Sequence, residues 1–147
     1  MGLKGMKGKG EVLFIGRVKS AGEVSTIQVF EEFCEGLLGI EEYSHLIVLY
    51  WLHLRDDERN RRTLRVVPRR HEGAPLTGVF ACRSPSRPNP IGLTVVRLDS
   101  VDGCLLRVVG LDAVEGTPII DIKPYSPRAD SVPDAKTPEW TLRGPRT

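Results

Sequence analysis

Val12–Val18 alternates apolar residues with Gly16 and Arg17, close to the two-residue period of a β-strand. That predicts a strand there and a second over Val24–Phe30, which is rich in β-branched residues. Glu31–Ile40 differs, placing Phe33, Leu37 and Leu38 at helical spacing behind acidic residues. That predicts a short helix favoured by its N-terminal dipole. Ser44–Leu54 (SHLIVLYWLHL) follows as a long strand, too hydrophobic to face water on either side. Leu64–Val67 and Thr77–Cys82 are shorter strands. Leu93–Val109 reads as a hairpin around Asp102-Gly103, a pair suited to a type I′ turn, whose central residues both need positive φ. Ile119–Ile122 is a further strand after Gly116-Thr117-Pro118. Many short strands and one helix predict a mainly β fold, a small antiparallel barrel or a highly curved sheet, with one or two short helices.

The length, 147 residues, fits one domain with a core of its own. Hydrophobic residues make up 40% and charged ones 27%, an ordinary globular balance. Residues 1–10 read as a flexible tail, 11–135 as the barrel and 136–147 as an irregular tail. Everything from 126 onwards is rich in Pro, Arg and Ser and is expected to wrap the surface. Cys34, Cys82 and Cys104 are odd in number and far apart, with no CxxC or Cys/His spacing. Reduced thiols are the simplest reading, and no metal is expected. The longest apolar run, Leu46–Leu52, is far short of a membrane span, and the lysines at the start precede no apolar stretch. A cytoplasmic protein is expected.

Net charge is only +2, but its distribution is uneven. Seven arginines crowd Arg55–Arg70 against three acids. Such a patch suits nucleic-acid phosphates, or is simply a solvated loop.

Two segments can carry chemistry. Arg83–Gly92 (RSPSRPNPIG) holds three prolines, each fixing φ and removing an N–H. It cannot be a ladder strand and is either a surface connector or a stiff loop presenting Arg83, Ser84, Arg87 and Asn89 in set directions. In residues 111–125 (LDAVEGTPIIDIKPY), Asp121, Lys123 and Tyr125 alternate along one strand face. They form an acid–base set, a wall around a heterocycle, or a solvated face with a weak ion pair. No GxGxxG, Walker loop, GxSxG or HExxH occurs. His45 and His53 lie in an apolar run and suit a core or site wall better than a metal.

Residues 78–93 (GVFACRSPSRPNPIGL) and 111–125, with YSHLIVLYW (43–51) and IGRVKS (15–20), resemble the TsaA-like, TrmO-type family of tRNA adenine-N6 methyltransferases. The similarity runs over roughly residues 11–135. Cys82 stands where the family usually has threonine and Glu115 where it has aspartate. The resemblance implies a non-Rossmann β-barrel, S-adenosylmethionine as cofactor and a homodimer. It also implies methylation of N6 on the threonylcarbamoyl-modified adenosine 3′ of the tRNA anticodon.

Carried over by position, the cofactor site comprises Ser20, Ala21, Gly22, His45, Leu46, Arg83, Leu93, Asp112, Ala113, Val114, Glu115 and Gly116. Asn89, Asp121, Lys123 and Tyr125 are candidates on the target-base side, where Asn89 or Asp121 accepts an N6 hydrogen. Arg59, Arg61, Arg62, Arg69, Arg70 and Arg87 are candidates for anticodon stem-loop phosphates. Two other readings stay open: a non-catalytic S-adenosylmethionine or adenosine sensor, and an RNA-binding accessory module on the same fold.

Overall fold

The longer strand segments pair into a closed six-stranded antiparallel barrel in the order β1-β2-β7-β6-β3-β8. The structure is a computed structural model and describes residues 8–146. The strands are β1 (Gly16–Ser20), β2 (Val24–Val29), β3 (His45–Trp51), β6 (Ile91–Asp102), β7 (Leu105–Val109) and β8 (Pro118–Pro124). Two-residue strands β4 (Arg65–Val66) and β5 (Thr77–Gly78) pair in an arm outside the barrel. Closure leaves the barrel strands no open edge. Helices are short: α1 (Glu58–Arg61), α2 (Pro127–Asp130) and several 3-10 segments of three to seven residues.

Inward positions alternate along the barrel strands. Val18, Ile27, Val29, Leu46, Val48, Tyr50, Val96, Leu106, Val108, Leu111 and Ile119 form one buried cluster. Each fully buried aliphatic side chain contributes roughly 1.5–3 kcal/mol. The outer face of β3 and β6 is apolar too. Leu49 pairs with Leu93 and Ile47 with Val95, and Leu93 and Val95 are 43% and 45% exposed. The expectation that β3 avoids water on both sides therefore holds only for its inner side within one chain.

Several expectations change. The first strand begins at Gly16, because Val12, Leu13 and Phe14 precede the ladder and are exposed. The helix expected over Glu31–Ile40 is a seven-residue 3-10 helix, Glu31–Leu37, followed by a single 3-10 turn, Ile40–Glu42. Gly39, at φ +88°, separates them, and Leu38 is 94% exposed rather than packed. The sixth strand starts at Ile91 and the fifth ends at Gly78, after which Val79–Ala81 is a 3-10 turn.

In the hairpin, Asp102 pairs with Leu105, so the central turn residues are Gly103 and Cys104. Only Gly103 has positive φ, +61°. That is the type II′ requirement, with glycine first, and the I′ expectation is one residue out of place.

Reduced thiols are also corrected, since Cys34 and Cys104 form a disulfide across 70 residues of sequence. They meet because the end of β2 lies beside the start of β7, where the Val29 amide donates to the Cys104 carbonyl at 2.9 Å. Linear spacing cannot reveal such a meeting. A cross-link of this span stabilises by roughly 4 kcal/mol through loop closure. Cys82 stays free. Of the expected N-terminal tail, residues 1–7 lie outside the described residues.

Candidate functional site

The chain leaves β3 and re-enters the barrel on its hydrogen-bonded neighbour β6. Between them residues 53–89 form one excursion, shut at its base by the Leu52 amide donating to the Pro90 carbonyl at 2.6 Å. A cavity of about 830 Å³ lies between this excursion and the barrel rim. Tyr50, Gly92 and Leu93 form its floor, Val66–His71 one wall and Cys82–Arg87 the other. Asp112, from the β7–β8 connection, closes the rim. A smaller cleft of about 190 Å³ continues between Leu52–Arg55 and Asp112–Val114.

The proline loop is held from behind. Buried Ser86 donates its hydroxyl to Asn60 Oδ1 and accepts from Arg55 at 3.3 Å. Arg87 folds back to donate to the Cys82 and Ser84 carbonyls at 3.2 and 2.9 Å. Arg61 donates to the Pro88 carbonyl at 3.0 Å and to Asp56 at 2.6 Å. Its guanidinium also lies over the Trp51 ring at 5.4 Å. Trp51 Nε1 completes the ring by donating to Asp56 at 3.1 Å. The short helix α1, which supplies Asn60 and Arg61, is N-capped by Asp57, which accepts from the Asn60 amide at 2.8 Å.

These bonds favour ionised carboxylates. Arg61 first, and Trp51 second, hold the Asp56 carboxyl below the usual range. The Asn60 amide does the same to Asp57. A folded-state pKa below the unfolded value gives stability that is present above about pH 3.9 and lost as pH falls through the folded value. Trp51 fluorescence in a Trp140→Phe background should therefore report loop release only at a midpoint below about pH 3.9. Asp56→Asn should abolish that transition, and a midpoint above this value would contradict the arrangement.

Five arginines (55, 69, 70, 83 and 87) line the cavity against one acid, Asp112. Arg70 pairs with Asp112 at 3.0 Å, and Arg55 and Arg87 brace the loop. Arg83 and Arg69 have no hydrogen-bond or ion-pair partner among the described residues. Two uncommitted guanidiniums in one cavity suit a carboxylate or phosphate ligand. On the same cavity, burial pushes the Tyr50 phenol above its ordinary range, with its hydroxyl bonded to Thr94 Oγ1 at 2.8 Å. Arg70 and Arg83 oppose that shift by their charge, placing both guanidiniums near the phenol.

The family model for the tRNA-methyltransferase O N-terminal domain matches residues 17–131, which include every residue lining the cavity. The chain belongs to this family. An Archaeoglobus fulgidus protein named a probable S-adenosyl-L-methionine-binding protein is 54% identical over 118 residues, covering 78% of this chain and 30% of that protein. The Escherichia coli tRNA (adenine(37)-N6)-methyltransferase is 44% identical over 125 residues, covering 82% of this chain and 52% of the enzyme. The crystal structure of TrmO from Pseudomonas aeruginosa superposes with a TM-score of 0.70 at 30% identity, over 92% of this chain and 63% of that one. The chain thus spans between under a third and under two thirds of these relatives.

The residues that the TrmO-type resemblance implies divide into groups. Arg83, Leu93, Asp112, Arg69, Arg70 and Arg87 line the main cavity, and Ala113 and Val114 the adjoining cleft. Gly116 donates to the Val18 carbonyl at 2.8 Å. That sets the Glu115–Gly116 turn beside Ser20–Gly22 at the same rim, though neither turn lines the cavity. Leu46 is wholly in the core, so only its backbone is available to a ligand.

His45 is exposed at the other end of β3, bonded to Ser44 at 2.7 Å and edge-on to Tyr125. Asp121 and Lys123 do share an outer strand face, paired at 3.2 Å. They flank Leu49 and Ile47 rather than the cavity. Asn89 is exposed outside the cavity lining. Of the candidate RNA contacts, Arg59 on α1 and Arg62 just after it are exposed, Arg61 and Arg87 are spent on backbone carbonyls of the proline loop, and Arg70 is exposed but paired with Asp112.

Sequence reasoning missed Tyr50, Val66–Pro68, His71, Asp56 and Asn60, and gave Arg61, Arg69 and Arg70 only a role toward RNA. Nothing in the apolar run of β3 marks Tyr50 as inward.

Proposed function

We propose that the chain is an S-adenosylmethionine-dependent tRNA adenine-N6 methyltransferase whose cofactor lies in the cavity beneath the proline loop. The observation that carries this reading is that uncommitted Arg83 and Asp112 line one cavity with Tyr50, Gly92 and Leu93, within the matched family domain. Arg83 suits the methionine carboxylate, Asp112 the ribose hydroxyls, and the backbone of the Asp112–Gly116 turn the adenine edge. A cavity of this size fits a ligand of that class. When bound, the cofactor supplies an electrophilic methyl group. The chain's part is positioning and exclusion of water, because N6 of adenine is a weak nucleophile. Asn89 and Asp121 lie outside the cavity lining of one chain, so either would accept a hydrogen bond from N6–H, turning the nitrogen lone pair toward the methyl, only where the bound RNA or a second copy brings the base to it. The substrate proposed is the adenosine 3′ of the anticodon, carrying the threonylcarbamoyl group.

The working unit proposed is a homodimer. Within one chain, His45, Lys123 and Tyr125 stand along β3 and β8 away from the cavity, beside the apolar stripe of Ile47, Leu49, Leu93 and Val95. A second copy covering that stripe brings the two groups together, and light scattering measures its mass directly. The cytoplasm, where tRNA is modified, is the proposed location. Among the described residues no helix is long and apolar enough to cross a membrane.

Calorimetry with S-adenosylmethionine, followed by mass spectrometry of nucleosides from treated tRNA, tests the reading. Binding and a gain of one methyl on adenosine are expected. Binding without transfer would favour a sensor, the reading to which the A. fulgidus relative's name points. No binding would overturn both.

The RNA surface proposed is the exposed part of the arginine-rich excursion, Arg59, Arg62 and Arg65. Arg62 meets Glu58 at 3.2 Å in a pair too exposed to hold it. Arg62→Glu with Arg65→Glu should flatten the slope of log K against log salt by roughly 0.7–0.9 for each phosphate that is no longer neutralised. Arg61→Glu acts instead through the proline loop. An unchanged slope in the double variant would remove this surface from consideration.

A further inference from the structure

The segment beyond the matched family domain is seated on the cavity wall. After Asp130 the chain runs past the end of that match at residue 131 and makes a 3-10 turn, Glu139–Leu142. There it meets Pro68–Ala74, a turn closed by His71 and Ala74 amides donating to the Pro68 and His71 carbonyls at 3.4 and 3.2 Å. His71, only 7% exposed, bonds through Nδ1 to the Arg143 carbonyl. Its ring lies 5.5 Å from that of Trp140. The Arg143 guanidinium donates to the Glu72 carbonyl at 3.0 Å. Gly144, at φ +85°, lies so close to the Arg70 carbonyl that a Cβ there would collide with it. One wall turn is thus gripped by three residues from a segment about 70 positions away.

The grip matters because of what the turn carries. Arg69, Arg70 and His71 line the cavity, and Arg70 reaches across it to Asp112. That ion pair is more than half exposed and is too weak to hold a wall by itself. We propose that residues 138–145 form a strap that fixes the cofactor-facing wall, with Trp140, Arg143 and Gly144 as positioning residues. The proposal rests on reading the cavity as the S-adenosylmethionine site. A wall fixed in advance loses little freedom when the ligand arrives. Releasing the strap therefore weakens binding without touching the transfer geometry on the proline-loop side.

Trp140→Ala and Gly144→Ala, each in the full chain, should raise both Kd and KM for S-adenosylmethionine about tenfold. They should leave kcat at saturating cofactor within about twofold, because the residues touch no reacting atom. Trp140→Phe keeps a ring against His71 and should bind like the parent protein. Hydrogen exchange at the His71 and Ala74 amides should accelerate in Gly144→Ala, which reports the strap even if Trp140→Ala folds poorly. Parent-like affinity and exchange in Gly144→Ala would overturn the strap. A parent protein that fails to bind S-adenosylmethionine would overturn the cofactor reading, and with it the strap's role. Faster exchange in Gly144→Ala would then locate the failure in the ligand assignment rather than in the wall.

Discussion

Arg83→Ala is expected to weaken S-adenosylmethionine binding about 50-fold while leaving the melting temperature almost unchanged. The two halves of that expectation come from the same observation. Arg83 is exposed, lines the cavity and has no hydrogen-bond or ion-pair partner among the described residues, so folding does not depend on it. Removing a charged donor from a carboxylate ligand costs about 2.3 kcal/mol, which is the stated loss of affinity. Arg83→Lys keeps the charge but not the two-pronged geometry, and should recover only part of the binding. Arg87→Ala is the contrasting case. Its guanidinium ties the loop to itself through two carbonyls, so stability and affinity should fall together. Unaltered cofactor affinity in Arg83→Ala, measured by calorimetry, would remove Arg83 from the site.

Gly92→Ala should lower both stability and cofactor binding. The residue is the glycine of the PIG triplet, directly opposite Tyr50 in the β3–β6 ladder. A Cβ at this position would overlap the Tyr50 ring edge. That ring cannot simply swing aside, since it is 4% exposed and tied to Thr94. Overpacking of this kind costs about 1–3 kcal/mol. For a chain of this length that lowers Tm by about 3–10 °C. Because Tyr50 is also the cavity floor, its displacement should raise the cofactor Kd. A double-mutant cycle with Tyr50→Val isolates the cause. The two substitutions should be far less than additive in stability, because the smaller side chain relieves the overlap. Additive losses would show that the glycine matters for another reason.

The barrel was legible because its determinants are local. Val24–Phe30 is rich in β-branched residues and His45–Trp51 is apolar throughout, which marked both as strands; which side of each faces inward is set by the register of the barrel. Glu31–Ile40 misled because Phe33 and Leu37 do have helical spacing, yet Gly39 turns the backbone left-handed before a full helix can form. The prolines of residues 83–92 announced a stiff loop. Nothing local announced that Asn60 and Arg61 would hold it, because those contacts join positions 26 and 27 residues apart. The arginine-rich run was equally opaque. Counting charges cannot separate Arg62, which faces solvent, from Arg61 beside it, which is spent on Asp56, Trp51 and a carbonyl.

The excursion of residues 53–89 begins and ends on adjacent, hydrogen-bonded strands, and its base is closed by the Leu52–Pro90 bond. It thus behaves as a cassette clipped into a finished barrel. Both cavity walls and the exposed arginines travel within it, whereas the floor and Asp112 stay with the scaffold. If the cavity is the cofactor site proposed above, chains with the same barrel and different cassettes would share its floor and differ in the walls and in the exposed arginines.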